Sequence, residues 1–130
     1  MTKLSESESR MFTDPYYGIA STVRPDGSPQ QTVVWVDYDG ENVVFNTAEG
    51  RAKPRYIRAN PNVSLTVVDP ADPFRWIAVS GPAELTAEGA AEHINDLSHK
   101  YRGRDYDLPE GQQRLIVRIR PERVTSYGLD

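Results

Sequence analysis

Short runs of β-branched and aromatic residues, separated by turn sequences, most constrain the fold of this 130-residue chain. Such residues favour β-strands, because they fit the half-buried surface of a sheet. The sequences RPDGSP (24–29) and Asp39-Gly40 favour tight turns between neighbouring strands. The first three runs therefore predict an antiparallel meander. The predicted strands are residues 18–23, 30–38, 42–47, 62–69, 74–85 and 113–121.

The strongest helical signal lies between the last two runs, over residues 86–102. Thr86 is a good N-cap, apolar residues recur at helical spacing, and Gly103 provides a stop. Residues 1–16 are predicted to be a flexible or short helical segment that ends at Asp14-Pro15.

Six antiparallel strands with one main helix fit a small barrel, whose closure removes exposed strand edges. The length predicts one domain over residues 1–130. Gly81-Pro82 lies inside the fifth run and predicts a bulge or a bend there, since proline cannot occupy a central ladder position.

The segment 50–61 carries four cations within eight residues, in a chain whose formal net charge is -4. Pro54 suits the first turn of a helix, and Asn60-Pro61 ends it. A helix N-terminus favours an anion, and nearby cations strengthen that preference. The pattern indicates a phosphate site for a cofactor tail. A solvated basic helix face and a nucleic-acid contact are the alternatives, and the acidic pI of about 5.2 argues against the latter.

The composition excludes several kinds of site. The chain has no cysteine, so disulfides, thiolate metal ligands and thiol catalysis are absent. The two histidines, His93 and His99, are six residues apart and do not share a helical face, so we expect surface residues and no metal pair. No nucleophile elbow or His-Asp cluster indicates a hydrolase. With no signal-peptide pattern and no run long enough for a bilayer, we expect a cytoplasmic protein without membrane or nucleic-acid partners.

Four segments carry a resemblance to a known family. They are GIASTVRPDGSPQQTVVWVDYDG (18–40), NVVFNTAEGRAKPRYIRANPNVSLTVVD (42–69), FRWIAVSGPAEL (74–85) and RIRPERVTSYG (118–128). In order and spacing the chain resembles the split β-barrel flavin/deazaflavin oxidoreductases related to pyridoxamine 5′-phosphate oxidase. It is more closely similar to the branch that uses the deazaflavin coenzyme F420.

The resemblance implies a mainly β fold, a six-stranded antiparallel split β-barrel, and a homodimer with two cofactor sites at the subunit interface. It also implies that the basic turn and helix hold the cofactor phosphate, that the second and third strands line the ring and ribityl chain, and that the fifth strand approaches from the partner chain. The implied cofactor-binding residues are Arg51, Lys53 and Arg55 at the phosphate, Gln30, Thr32, Val33, Val34 and Trp35 at the ring, Asn46 and Thr47 near the ribityl chain, and Trp76 and Ala78 from the partner.

Such cofactors carry the hydride chemistry themselves, while the protein binds, orients and excludes water, so no catalytic side chain is expected. The function that the resemblance implies is F420H2-dependent reduction of an unsaturated small molecule of quinone, enone or tetrapyrrole type. An FMN-dependent enzyme like pyridoxamine 5′-phosphate oxidase and a non-catalytic F420 carrier are the alternatives. The dense cations, with Arg24 or Arg75 as further candidates, suit the long acidic tail of F420 better than the short FMN phosphate.

Three aromatic side chains have two interpretations each. Trp35 and Trp76 either fill the core or form a wall against the cofactor ring. Tyr127 is either a core plug or a proton donor near the substrate, and the sequence favours the plug.

Overall fold

The computed structural model describes residues 3–130, which form eight strands and three helices. Every strand pairing is antiparallel. Within these residues, no helix has the length and apolar character to cross a membrane. The elements are α1 (Glu6–Thr13), β1 (Tyr17–Val23), β2 (Pro29–Trp35), β3 (Asp37–Tyr38), β4 (Val43–Ala48), α2 (Ala52–Ala59), β5 (Asn62–Asp69), β6 (Asp72–Thr86), α3 (Ala90–Arg102), β7 (Arg114–Ile119) and β8 (Arg123–Tyr127).

The strand order is β2-β1-β5-β6-β7-β4-β3, with β8 also paired to β6. The long strand β6 belongs to both halves of this sheet, since it pairs with β5 up to Pro82 and with β7 from Ala83 onward. The change of partner follows Gly81, where a Cβ atom would lie 1.9 Å from the backbone oxygen of Arg120. The predicted bend at Gly81-Pro82 is therefore the point at which the chain crosses between the two halves.

The two ends of the strand order, β2 and β3, are separated along the chain by Val36 alone. The backbone N–H of Val36 donates to the hydroxyl of Tyr101 at 3.0 Å, and that hydroxyl donates to the carbonyl of Tyr16. Lys100 Nζ donates to the carbonyls of Val36 and Phe12. We call this junction the seam. Side chains of α3, instead of a strand ladder, satisfy its backbone groups, and the sheet is a split barrel as predicted.

The core lies between the sheet and α1. Phe45, Leu65 and Ile77 are fully buried, as are Met11 and Phe12 of α1. Ser5 and Glu8 form a reciprocal capping box at the start of α1. Within residues 3–16 the N-terminal segment therefore forms a short helix packed on the core, the second of the two predicted states, whereas residues 1 and 2 lie outside the described range.

The strand count and the predicted meander are wrong in part. The run 30–38 is divided at Val36, because β2 pairs with β1 whereas β3 pairs with β4 at the other end of the sheet. The chain end also forms a strand, β8, on β6. The main helix starts at Ala90, with Gly89 as N-cap. Thr86 instead ends β6 opposite Ile116, since ladder bonds to β7 replace the local cap.

The outer face of the β2-β1-β5-β6-β8 half carries exposed apolar side chains. Cross-strand partners point to the same side of a sheet. One row runs through Val33, Ile19, Thr66, Ala78 and Thr125. The large exposed apolar side chains of this half, with their exposed fractions, are Tyr17 (57%), Ile19 (39%), Val33 (64%), Val68 (42%), Phe74 (71%) and Tyr127 (61%).

Three residues singled out from the sequence, Tyr127, Trp76 and Ala78, lie on this outer apolar face. Tyr127 pairs with Trp76 on this face, and its 61% exposure shows that it is not a core plug. Trp76 and Ala78 lie in the same face. Because the face is apolar and uncovered, it is available to a partner surface.

Candidate functional site

A cavity of about 230 Å³ lies where β2, β4, α2, α3 and β7 approach one another. One part of its wall is aromatic or apolar, and the other is polar and carries three cations. Of the residues that the structure describes, no aspartate or glutamate lines it. The lining residues are Tyr17, Val33, Val34, Trp35, Ile94, Leu97 and Tyr106 on the first part, and Asn46, Thr47, Arg51, Lys53 and Arg114 on the second.

The basic helix forms as the sequence predicts, and its N-terminus contributes two of the three cations. Arg51 is the N-cap of α2 and makes no side-chain capping bond, while Pro54 occupies the first turn and is buried. Burial, followed by the nearby Arg51, lowers the pKa of Lys53. The free N–H groups of the first turn and these two side chains make this end of the cavity suited to an anion.

The third cation, Arg114, was not among the predicted site residues. It begins β7 opposite Ala48 and is only 5% exposed. Its Nε donates to Asn46 Oδ1 at 2.8 Å, and its Nη1 donates to Gln112 Oε1 at 3.0 Å. The missing signal is non-local, since only the pairing of β7 with β4 brings Arg114 to Asn46.

Asn46 and Thr47 lie next to each other on β4, as predicted, and both line the cavity. Asn46 Nδ2 lies 3.0 Å from the carbonyl of Ala90 and 3.0 Å from His93 Nδ1. His93 is therefore half-buried in this network, and the expectation of a surface residue is wrong for it, whereas His99 is exposed. Thr47 Oγ1 is buried without a hydrogen-bond partner among the described residues.

Trp35 forms part of the apolar wall, and its ring is fixed from outside the cavity. It stacks on Tyr101, with ring centroids 5.5 Å apart and planes at 10°, and the guanidinium of Arg102 lies 5.2 Å from its ring centroid. Tyr17 also contacts Tyr101, at 5.3 Å between centroids. An aromatic wall held in this way can receive a flat ring without reorganising.

Seven of the twelve predicted residues line this cavity and five do not. Gln30 and Thr32 lie on the face of β2 opposite to Val33, and Gln30 Oε1 accepts from the buried Thr22. Trp76 and Ala78 are on the outer apolar face described above. Arg55 is exposed and lies beside Arg51, outside the cavity.

Fewer of the predicted cations, those of segment 50–61 with Arg24 and Arg75, are available to a ligand than the sequence predicted. Arg58 makes a two-pronged bond to Glu49, at 2.8 and 2.6 Å. Arg75 pairs with Asp69 at 3.0 Å, and neither Arg75 nor Arg24 lines the cavity. The cations left for a ligand at this end are therefore those in the cavity wall and Arg55.

Comparison with known proteins identifies the family. A family model described as "Pyridoxamine 5'-phosphate oxidase" matches residues 5–128. The chain belongs to this family. A pyridoxine/pyridoxamine 5′-phosphate oxidase of Aeromonas hydrophila is 38% identical over 127 residues, which are 97% of this chain and 56% of the relative. The chain thus spans little more than half the length of that oxidase.

Two further members and neighbours are named for F420. An F420H2-dependent biliverdin reductase of Mycobacterium tuberculosis is 20% identical over 123 residues, covering 95% of this chain and 88% of the relative. A solved structure titled "F420 Reductase" superposes with a TM-score of 0.82 at 32% identity, covering 94% of this chain and 98% of that one. Both proteins match this chain over most of their own length, whereas the Aeromonas hydrophila oxidase matches it over 56% of its length.

Proposed function

We propose that this protein is an F420H2-dependent oxidoreductase that transfers hydride between the deazaflavin and an unsaturated small molecule of quinone, enone or tetrapyrrole type. The observation that carries the proposal is the two-part cavity, with an aromatic and apolar wall on one side and three cations without a lining carboxylate on the other. A ligand that matches it has a flat ring and an anionic chain. The names of the relatives add support for a deazaflavin or a flavin.

The residues present fit such a cofactor. Among residues 3–130, the buried hydroxyl Thr47 Oγ1 has no hydrogen-bond partner and the buried guanidinium of Arg114 bonds to no carboxylate. Groups of this kind are costly unless a ligand completes their hydrogen bonds. Arg51 and Lys53 would hold the phosphate together with the first-turn N–H groups of α2.

The chemistry that F420H2 supplies when bound is hydride donation. The work of this chain is to bind and orient the ring and to keep water from it. Trp35, Val33 and Val34 would line the ring, and Asn46 and Thr47 would contact the polar chain between ring and phosphate. The exposed Arg55 lies outside the cavity, beside Arg51. A long acidic tail that extends out of the cavity would pass this cation, whereas the short FMN phosphate would not, so the position of Arg55 favours F420 over FMN.

We further propose a homodimer through the outer apolar face. Its side chains are exposed in the single chain, and Val33 belongs both to this face and to the cavity wall. A second copy docked here would bring its own Trp76 and Ala78 toward the neighbouring cavity. The predictions of one domain over residues 1–130 and of a cytoplasmic location remain predictions.

Sedimentation velocity tests the dimer. The variant Ile19→Lys places a charge in the centre of the face and is expected to sediment as a monomer. Leu108→Lys, at another exposed apolar side chain in the loop before β7, is the matched control and is expected to stay dimeric. A wild-type monomer at assay concentration would overturn the proposal.

The first test of function is a calorimetric titration of the purified protein with F420 and, in parallel, with FMN. Tight F420 binding with weak FMN binding is expected, followed by consumption of F420H2 when an acceptor is added. Absence of binding to either cofactor would refute the cofactor site. Binding of F420 without turnover over a broad acceptor set would instead identify a carrier.

The matched variants test the phosphate site. Changing Arg51 and Lys53 together to Ala removes two charge-assisted contacts and is expected to weaken F420 binding by about 3 kcal/mol. Arg58→Ala, whose side chain is bound to Glu49 outside the cavity, is the control and should bind as the wild type does. Equal affinity in the double variant would remove the phosphate-site claim.

The second candidate is an FMN-dependent oxidase, favoured by the 38% identity to the Aeromonas hydrophila enzyme. A purified protein that is yellow and keeps FMN through gel filtration would establish this alternative.

A further inference from the structure

Arg114 is a buried cation whose hydrogen-bond partners in the described chain are all neutral. They are Asn46, Gln112 and, at 3.4 Å, the Tyr106 hydroxyl. Its guanidinium also lies 5.2 Å from the ring centroid of Tyr106. A buried charge without a counter-charge is unfavourable, and neutral hydrogen-bond partners do not neutralise it. An anionic ligand in the cavity would provide the missing charge.

Arg114 still has donors to offer such a ligand. Nε and Nη1 are used by the three neutral partners, whereas Nη2 makes no hydrogen bond among residues 3–130. The unpartnered hydroxyl of Thr47 lines the same cavity, and its neighbour Ala48 is the strand partner of Arg114. Thr47 and Arg114, on adjoining strands, therefore meet at one cavity. Burial lowers the pKa of Arg114; Tyr106 opposes this shift and Arg51 adds to it.

A chain of hydrogen bonds fixes the guanidinium in this place. Asn46 Oδ1 accepts from Arg114 Nε, so the amide nitrogen of Asn46 must face Ala90 and His93. Because that nitrogen donates, His93 Nδ1 must accept, and the ring hydrogen is then on Nε2, which is buried and has no partner within the described part of the chain. We call the chain from Arg114 through Asn46 to His93 the relay.

We propose that Arg114 is a ligand-binding residue that contacts the anionic group of the cofactor, and that Asn46 and His93 are positioning residues that hold its guanidinium in the cavity. This inference rests on the proposed function, because it names a further residue of the same site. It adds an inner cation, buried on β7, to the outer pair that α2 supplies.

The relay predicts a pH dependence, since protonated Nδ1 is a donor and cannot accept from Asn46. Burial lowers the pKa of His93, and Arg118 of β7 acts in the same direction. Asp37 and Asp39 around β3 and Asp96 on α3 itself oppose it. Ligand affinity is therefore constant above the pKa of His93 and falls as the pH drops through it.

The experiment measures F420 affinity from pH 5 to 8 in the wild type and in variants. Arg114→Gln is expected to bind roughly ten- to a hundredfold more weakly at every pH. The matched control is Arg120→Gln, which should bind normally. Arg120 is exposed, follows the same strand directly, and pairs with Glu122. Wild-type affinity in Arg114→Gln would overturn the proposal while leaving the proposed function intact.

Two variants of His93 separate positioning from a general structural role. His93→Phe removes the acceptor and is expected to bind several-fold more weakly and without the acid limb of the pH profile. His93→Asn places an amide oxygen near the position of Nδ1 and is expected to restore affinity, also without the acid limb. An acid limb that persists in both variants would overturn the role of the relay.

A third measurement tests the role of Arg114 even if F420 and FMN both fail to bind, or if Arg114→Gln does not fold. Pyrophosphate is titrated into the wild type, and the side-chain N–H signals of its arginines are followed by NMR. The Arg114 signals are expected to shift with those of Arg51. Saturation that moves Arg51 and leaves Arg114 unchanged, or the absence of any shift, would overturn the inference, whereas failure of F420 alone refutes only the proposed function.

Discussion

The variant Gly81→Ala tests the crossing of β6 between the two halves of the split barrel. A Cβ atom at this position would lie 1.9 Å from the oxygen of Arg120. The N–H of Arg120 donates to the carbonyl of Pro82 and the N–H of Glu122 donates to that of Ser80, both at 3.0 Å. Because the opposing atoms belong to the backbone, no rotamer change can make room.

The expected cost follows from these distances. Non-bonded heavy atoms rest about 3.5 Å apart, so the two chain segments must separate by about 1.5 Å. That displacement stretches both flanking hydrogen bonds beyond their useful length. Each is worth about 1 kcal/mol, and leaving its groups buried without partners costs more, so we expect the free energy of unfolding to fall by about 2–5 kcal/mol.

Urea denaturation followed by tryptophan fluorescence measures this change as a lower midpoint at an unchanged slope. The control is Gly40→Ala, at φ +97° in an open turn with nothing within 4 Å of its Cβ, which is expected to lose only about 1–2 kcal/mol from backbone strain. Without a clash, alanine in a strand is more stable than glycine by about 0.5–1 kcal/mol. A Gly81→Ala protein as stable as the wild type would therefore refute the close approach.

Three further predictions concern stability. Tyr101→Phe leaves the buried N–H of Val36 without a partner and is expected to lower the free energy of unfolding by about 1–3 kcal/mol in urea titrations. Burial raises the pKa of Tyr101 from 10.0 to about 12, so the wild type loses stability as pH rises from 10 to 12, and this component should be missing in the Phe variant. Burial lowers the pKa of Lys100 from 10.5 to about 8, so its contribution makes stability increase between those pH values, and Lys100→Met should show a flatter profile. Ser5→Ala removes the capping box of α1 and should cost about 1 kcal/mol at neutral pH, whereas an unchanged urea midpoint would contradict that role.

The elements set by local chemistry could be predicted from the sequence. Helix α2 has Pro54 in its first turn and ends before Asn60-Pro61, because proline suits the first turn of a helix and disfavours helical backbone in the residue before it. The hairpin over residues 24–29 likewise follows from its turn residues. The joint position of Arg51 and Lys53 at the start of this helix could be predicted for the same reason, since helix and turn are continuous in the chain.

What depends on distant pairing could not be predicted. Strand β8 has few buried residues, and only its ladder with β6 makes it a strand. Arg114 becomes a cavity residue because β7 lies beside β4, and His93 becomes half-buried because the phase of α3 turns it toward Asn46. In each case the signal lies in the strand order, which hydrophobic alternation does not encode.

The seam lies beside the cavity wall and is held in place by the C-terminal end of α3. Val36 is held by the last turn of that helix, through Tyr101 and Lys100, and its neighbour Trp35 both lines the cavity and stacks on Tyr101. Loosening the end of α3 would free the junction and the wall beside it in one motion, without any separate lid. A ring bound against Trp35 would stabilise the seam in its closed state. The amide of Val36 would then exchange with solvent more slowly in the ligand-bound protein than in the ligand-free protein.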